Sequence, residues 1–286
     1  LRIASYNMQN LFVEADVRAR LDTVAKPVKA ITALTGTLGS LAADAVLVQE
    51  VGSIEALEAV NAGLETPYPF CAVAEGNSER GIHLGVLSRE PFELTSHRQL
   101  ELTDQDGTPL LEYASEAAAS TGTAMPIRIQ RDLLQVELDL ADQGMLTLFN
   151  VHLKSKTNRP WRRLPADDVR AAEVRQIANR IDEYLSTHPR RPLLLGGDFN
   201  DLRSSTALAP LFALPLVDPM GEQLAGSGRN PSTYWPKRRM RLDFLLLSPA
   251  AAGRLVPDSA RIHASQRAKR GSDHYPVSVD LDFAEA

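Results

Sequence analysis

Apolar runs and polar side chains alternate along this chain in an order that few topologies can satisfy. Runs at 3–6, 46–48, 146–149 and 193–195 end in Asn7, in Gln49 and Glu50, in Asn150 and His152, and in Asp198 and Asn200. Short aliphatic runs bounded by polar residues read as buried strands. Two later runs reverse the order, because Asp243 precedes 244–247 and Asp273 and His274 precede 275–281. If all these polar groups are to meet, the two late strands must run antiparallel to the earlier ones, and the sheets must be mixed. Convergence of the strand ends at one edge is the expectation on which everything functional depends.

The sharpest junction is RPLLLGGDFND at 191–201, where three leucines lead through Gly196 and Gly197 to a carboxylate and a carboxamide two residues apart. Glycines let the backbone turn there. Taken alone, the segment is equally an Asp/Asn turn closing a strand; recurrence of the design along the chain favours a functional edge. Between the junctions, periodicity predicts helices over 28–41, with Gly36 and Gly39 weakening its second half, over 54–64 behind an N-capping Ser53, and over 166–185. Strands are expected at 70–74, 83–88 and 92–102, followed by a hairpin of 131–140 with 144–152. The stretch 103–126, poor in aromatics apart from Tyr113, reads as a surface insertion. A short helix is expected from Ser204 or Ser205 to Ala213, and then a glycine-containing loop as far as Tyr234 and Trp235.

The 286 residues show no linker or internal repeat, so one domain over 1–286 is expected. A lone Cys71 excludes an internal disulfide and any zinc-finger pattern, leaving the fold to its core. No apolar run approaches the roughly 20 residues needed to span a bilayer. The protein is expected to be soluble and monomeric. Its first residue is Leu1, compatible with removal of an upstream segment, and the compartment stays open. A net charge of -5 argues against coating nucleic acid by bulk electrostatics. The positive charge is nevertheless grouped in Lys154, Lys156, Arg159, Arg162 and Arg163, in Lys237, Arg238, Arg239 and Arg241, and in Arg267, Lys269 and Arg270. Any one group is ordinarily a solvated loop; three beside candidate site residues predict a rim that holds phosphates.

In order along the chain, RIASYNMQNLF (2–12), VLVQEV (46–51), NVHLKSK (150–156), GGDFND (196–201), RLDFLLLS (241–248) and GSDHYPVSVDL (271–281) resemble the endonuclease/exonuclease/phosphatase superfamily, with its DNase-I-like fold. That resemblance implies a four-layer α/β/β/α sandwich of two mixed β-sheets flanked by helices, with the active site at one end. Glu50 and Asp273 supply hard oxygen ligands suited to Mg²⁺ or Mn²⁺. Asp198 resembles the carboxylate that activates water or assists the leaving oxygen, with Asn7 and Asn200 holding it and the phosphate. His274 resembles the phosphate-facing imidazole, Asp243 its buried partner, and His152 the second histidine of the DNase-like branch. Arg131 and Lys154 are phosphate-binding candidates. Tyr234 and Trp235 are similar to an aromatic pocket, and would serve equally as a stacking surface or as packing.

The activity implied is a divalent-metal-dependent phosphodiesterase, most simply a nuclease acting on DNA or RNA. A phosphatase or phospholipase acting on inositol phosphates or sphingomyelin is the alternative, and a phosphate-binding homologue without catalysis a third. Gln9 stands where some abasic-site endonucleases carry an aspartate, which leaves a second metal in question. No clear counterpart of the tyrosine those enzymes place before their central arginine stands at 125–131.

Overall fold

A computed structural model describes residues 1–19, 23–112, 122, 124–157, 164–225, 231–237 and 239–284. Its strands are β1 (Arg2–Leu11), β2 (Ala45–Val51), β3 (Phe70–Ala74), β4 (His83–Ser88), β5 (Phe92–Ser96), β6 (Leu111–Glu112), β7 (Met125–Pro126), β8 (Leu133–Asp139), β9 (Met145–His152), β10 (Leu193–Asp198), β11 (Asp243–Leu247), β12 (Arg261–Ile262) and β13 (Val277–Asp280). Its helices are α1 (Glu14–Ala19), α2 (Val28–Leu41), α3 (Ile54–Asn61), α4 (Ala166–Thr187), α5 (Ala209–Ala213), α6 (Pro219–Leu224), α7 (Pro249–Ala252) and α8 (Gln266–Gly271).

The strands form a six-stranded sheet in the order β12-β13-β1-β2-β4-β3 and a five-stranded sheet in the order β11-β10-β9-β8-β5. β1 runs parallel to β2, and β9 to β10, whereas β13 is antiparallel to β1 and β11 to β10. This is the reversal that the polar residues required. Alternation along each strand builds the layers. Ile3, Leu47, Leu84 and Val86 face Leu134, Leu148, Leu194 and Leu245 between the sheets. Their neighbours Ala4, Tyr6, Val46 and Val48 face outward onto Leu34, Leu38, Leu57 and Val60 of α2 and α3. On the opposite side Phe149, Leu193, Leu195 and Leu246 meet Val169, Val174, Ile177 and Leu211 of α4 and α5. A one-residue slip of β10 would exchange its two apolar faces; each of its leucines gains ~1.5–3 kcal/mol from burial.

Polar groups lock the sheets together near the site. Gln49 Nε2 donates to Asn150 Oδ1 at 2.8 Å, and Asn150 Nδ2 donates to the carbonyls of Val48 and Gly85, both at 3.0 Å. These two residues therefore bridge the layers and are not part of the reacting edge.

The glycines of α2 do not interrupt it. Gly36 provides clearance, since a Cβ there would lie 3.0 Å from Cδ of Arg267, whose Nη1 donates to the Gly36 carbonyl at 3.0 Å. The expected strand over 92–102 ends at Ser96, where the next amide, that of His97, is shared between Asp132 Oδ1 at 2.8 Å and the Leu133 carbonyl at 3.3 Å. The glycine-containing loop holds α6, N-capped by Asp218. Residues 113–121, with Tyr113, and 226–230, with Gly226 and Gly228, lie outside the described residues. No helix among the described residues is long and apolar enough to cross a membrane.

Candidate active site

Strand register delivers the first group of residues. Asp198, at the end of β10, is paired with His152 on β9 and with Asp243 on β11. The glycine before it is obligatory: Gly197 has φ +140°, and a Cβ there would stand 2.0 Å from the Val151 carbonyl oxygen. In the other sheet β1 and β2 both lose register, between Asn7 and Leu11 and between Gln49 and Val51. Gln9, Asn10 and Glu50 there adopt φ of 48°, 49° and 60°. Left-handed backbone at non-glycine residues costs roughly 1–3 kcal/mol each, and such irregularities re-aim side chains beside active sites. The side-by-side bulges turn Glu50 toward the edge, where its Oε2 accepts the Asn10 amide at 2.9 Å. Lys26 Nζ holds the same bulge by donating to the Gln9 carbonyl at 2.6 Å.

Asp198 lies at the centre of the site. Its Oδ2 accepts from Asn7 Nδ2 at 2.9 Å and Asn200 Nδ2 at 3.3 Å, and its Oδ1 accepts the Asn200 amide at 2.9 Å. His274 Nε2 and His152 Nε2 each stand 3.7 Å from Asp198 Oδ2. Behind His274, Asp243 Oδ2 accepts from Nδ1 at 2.8 Å. Ser272 ties the segment to β1, donating to the Asn7 carbonyl at 2.6 Å and accepting the His274 amide at 3.0 Å.

The environments separate these groups by charge. Burial pushes the Asp198 carboxyl up to about 7, with Asp243 adding to the effect and the His274 charge and the Asn200 and Asn7 hydrogen bonds opposing it. Burial alone would lower His274, but the charges of Asp243 and Asp198 outweigh it and push the imidazole up to about 10. His152 is held well below its ordinary value by burial and then by the charges of Arg131, His274, Arg80 and Lys154. One imidazole is therefore cationic and the other neutral. His152 Nε2 faces Glu50 Oε1 and Asp198 Oδ2 while its buried Nδ1 has no partner, which favours the proton on Nε2.

Two sets of groups could hold a cation. Asp198, Asp243 and His274 bring ligand atoms within 4.8 Å of one another. A protonated imidazole offers no lone pair, so a cation held there would have to displace the His274 proton. Glu50 and Asp273 form the second set. Burial and then the Glu50 charge push Asp273 up, against His274 and Lys26. A buried carboxyl whose ionisation is opposed by a neighbouring carboxylate fits a hard divalent cation.

The remaining candidates flank this centre. Arg131 is buried, with Nη1 donating to the Leu153 carbonyl at 3.3 Å. Lys154 is also buried, its ammonium donating to the carbonyls of Ser155 at 3.0 Å and Thr157 at 2.8 Å. The Tyr234 ring lies 5.2 Å from that of His274. Trp235 sits beside it, its indole N–H committed to the Ser272 carbonyl at 2.7 Å. The expected basic rim is only partly a rim. Lys156 pairs with Asp201 at 2.6 Å, Arg241 donates through Nη1 to Asp218 at 2.9 Å, and Arg267 binds Gly36, so these charges support the fold. Arg159, Arg162, Arg163 and Arg238 lie outside the described residues.

Sequence reasoning missed the supports beneath the site. On α4, Glu173 is fully buried and accepts the amides of Gln130 at 2.8 Å and Lys154 at 2.7 Å. One turn earlier Arg170 spans from Asp201, at 2.8 Å, to the Lys154 carbonyl, at 3.1 Å. Lys26, Arg80 and Ser272 were missed as well. Arg80 shortly precedes β4, Ser272 falls within the 271–281 motif, and Lys26 carries no such local signal.

The sequence profile of the Endonuclease/Exonuclease/phosphatase family matches residues 4–274. Among solved structures, the chain resembles an endonuclease/exonuclease/phosphatase from Beutenbergia cavernae DSM 12333, at 18% identity over 98% of this chain and 71% of that one, with a TM-score of 0.61. It also resembles the human Nocturnin catalytic domain with bound sulfate anion, at 14% identity over 99% and 94% of the two chains and a TM-score of 0.63. TDP2 from C. elegans aligns at 16% identity over 97% and 74%, with a TM-score of 0.58. These likenesses concern the fold, two mixed β-sheets with flanking helices. No curated protein matches the sequence.

Proposed function

The chain belongs to the endonuclease/exonuclease/phosphatase family, and from that premise we propose that it is a divalent-metal-dependent phosphodiesterase, a nuclease hydrolysing DNA or RNA by attack of water on phosphorus. The observation that carries this reading is Asp198, a buried carboxylate clamped by Asn7 and Asn200 between a neutral and a cationic imidazole. Groups whose proton affinities are pushed apart in one cleft mark acid and base roles.

Asp198 takes a proton from water as the water oxygen bonds to phosphorus, and its raised proton affinity suits that task near neutral pH. Asn7 and Asn200 aim its oxygens. The His274 imidazolium donates from Nε2 to a phosphoryl oxygen and answers the charge that grows there; Asp243 holds Nδ1 and keeps the ring charged. His152 donates from Nε2 on the other side of Asp198. The ester P–O bond then breaks, and the departing oxygen takes a proton from solvent. Glu50 and Asp273 would hold Mg²⁺ or Mn²⁺, which when bound supplies Lewis-acid stabilisation of phosphoryl oxygen. Arg131 and Lys154 bind the substrate backbone, and Tyr234 and Trp235 present ring faces to a base.

The test is turnover of plasmid DNA, single-stranded DNA, RNA, inositol phosphates and sphingomyelin by wild type and Asp198→Asn, with Mg²⁺ and with EDTA. Hydrolysis of a nucleic acid that stops in EDTA and in the variant is expected. Full activity in folded Asp198→Asn refutes the assignment of the base. Preference for an inositol phosphate or sphingomyelin moves the protein to the phosphatase or phospholipase class.

A further inference from the structure

The bulge that presents Glu50 is gripped from behind by a positive charge. Lys26, half-buried, touches the end of β1 twice: its amide donates to the Phe12 carbonyl at 2.8 Å and its Nζ to the Gln9 carbonyl at 2.6 Å. The Gln9 carbonyl and the Asn10 amide belong to one peptide group, and that amide donates to Glu50 Oε2 at 2.9 Å. A single planar peptide therefore stands between an ammonium and a carboxylate, with its dipole aligned to both. Across the bonds of that peptide, Nζ lies on the order of 7 Å from Glu50 Oε2, a separation that ordinary salt does not fully screen.

The same charge reaches Asp273. Burial pushes Lys26 down, and the charges of Asp273 and Glu50 oppose that shift. In return, Lys26 helps to hold Asp273 down against burial and against Glu50. Two carboxylates that repel one another thus have a cation supplied by the chain itself. Gln9, which gives Lys26 its carbonyl, has a neutral side chain and adds no carboxylate to offset the ammonium. A fixed positive charge that steadies this pair while it is empty opposes any further cation that arrives there.

We propose that Lys26 is the resident counter-ion of Glu50 and Asp273: it holds Glu50 in place through the Gln9–Asn10 peptide and weakens the grip of the pair on its divalent cation. Lys26 is thereby a positioning residue that sets metal affinity, a role that rests on the metal site proposed above. A divalent and a unit charge about 8 Å apart lower affinity about 5–10-fold even at the dielectric constant of water.

The experiment is calorimetric titration of Mn²⁺, without substrate, into wild type, Lys26→Gln, Lys26→Arg and Glu50→Gln. Lys26→Gln keeps an N–H donor and loses the charge, and should bind Mn²⁺ about 5–10-fold more tightly than wild type. Lys26→Arg keeps the charge and should bind as wild type does; Glu50→Gln should not bind. Melting separates the charge from mere support. In EDTA, Lys26→Gln should melt below wild type, and saturating Mn²⁺ should narrow or reverse the gap, because tighter binding to the folded state returns stability. A lost support lowers both melting temperatures alike. Folding of Lys26→Gln only with Mn²⁺ is the extreme of the expected outcome, whereas folding in neither condition shows Lys26 to be a support and overturns the proposal. Lys26→Gln that binds Mn²⁺ no more tightly than wild type also overturns it, and leaves Glu50 and Asp273 as the metal site. Absence of Mn²⁺ binding in wild type, or binding that survives Glu50→Gln, rejects that metal site and the role of Lys26 with it.

Discussion

Replacing Asp243 by asparagine isolates the electrostatic part of the site. The substitution keeps the shape beside His274 Nδ1 but removes the charge 2.8 Å away. His274 stands at about 10 against its ordinary 6.5, although it is buried. That elevation corresponds to about 5 kcal/mol in favour of the imidazolium, and Asp243 is the largest contributor acting against burial. Without it only Asp198 and Asp273 oppose burial, and the proton affinity of the ring should fall toward the neutral range. We expect kcat to drop roughly 10³–10⁴-fold, comparable to removing the carboxylate behind a catalytic histidine elsewhere. A second readout does not depend on turnover. Because the folded proton affinity of His274 is raised, its contribution to stability is complete below the unfolded value, near 6.5, and is lost as pH climbs through about 10. The Tm of wild type should therefore decline across that window more steeply than the Tm of Asp243→Asn, and the His274 ring should titrate at lower pH by NMR in the variant. An Asp243→Asn protein with kcat within tenfold of wild type and His274 still charged at pH 8 would refute this account.

Four further outcomes follow from the same geometry. Burial raises Asp198 to about 7, so kcat/KM should fall as pH drops through that value while the base becomes protonated; a rate that is flat down to pH 5 removes Asp198 from that role. The same elevation works against folding as pH rises from the ordinary carboxyl range to about 7, so Asp198→Asn should melt higher than wild type at pH 8 while losing activity. Gly197→Ala must relieve both φ +140° and a 2.0 Å approach to the Val151 carbonyl, and should lose about 3–5 kcal/mol by urea denaturation; a loss under about 1 kcal/mol means that β10 can shift. Glu173→Ala strands two buried amides at about 1–3 kcal/mol each, a cost visible in the same urea midpoint and partly recovered in Glu173→Gln.

What the sequence made legible is what short-range pattern encodes. A run of leucines followed by Gly-Gly-Asp is local, and so are the period of α4 and the Ser53 cap of α3; the required strand reversal came from reading where polar residues stood relative to each run. The Asp218-Pro219 pair that starts α6 is an equally local cap signal within the stretch expected as a loop, and Asp218 accepts the Gly221 amide. The bulges were not legible, because Gln9, Asn10 and Glu50 take left-handed backbone without a glycine to announce it. The least legible residues are Arg170 and Glu173. Charged residues on an amphipathic helix are ordinarily solvated, and the groups that explain their burial, Asp201, Lys154 and Gln130, are distant in sequence. Their arrangement also explains why the basic segment after His152 is not a loose rim. With its Lys154 amide and carbonyl held by α4 and Lys156 paired to Asp201, the start of that segment is pinned at the mouth of the site. Under the function proposed above, pinning removes the entropy that a flexible loop would lose on gripping a phosphate.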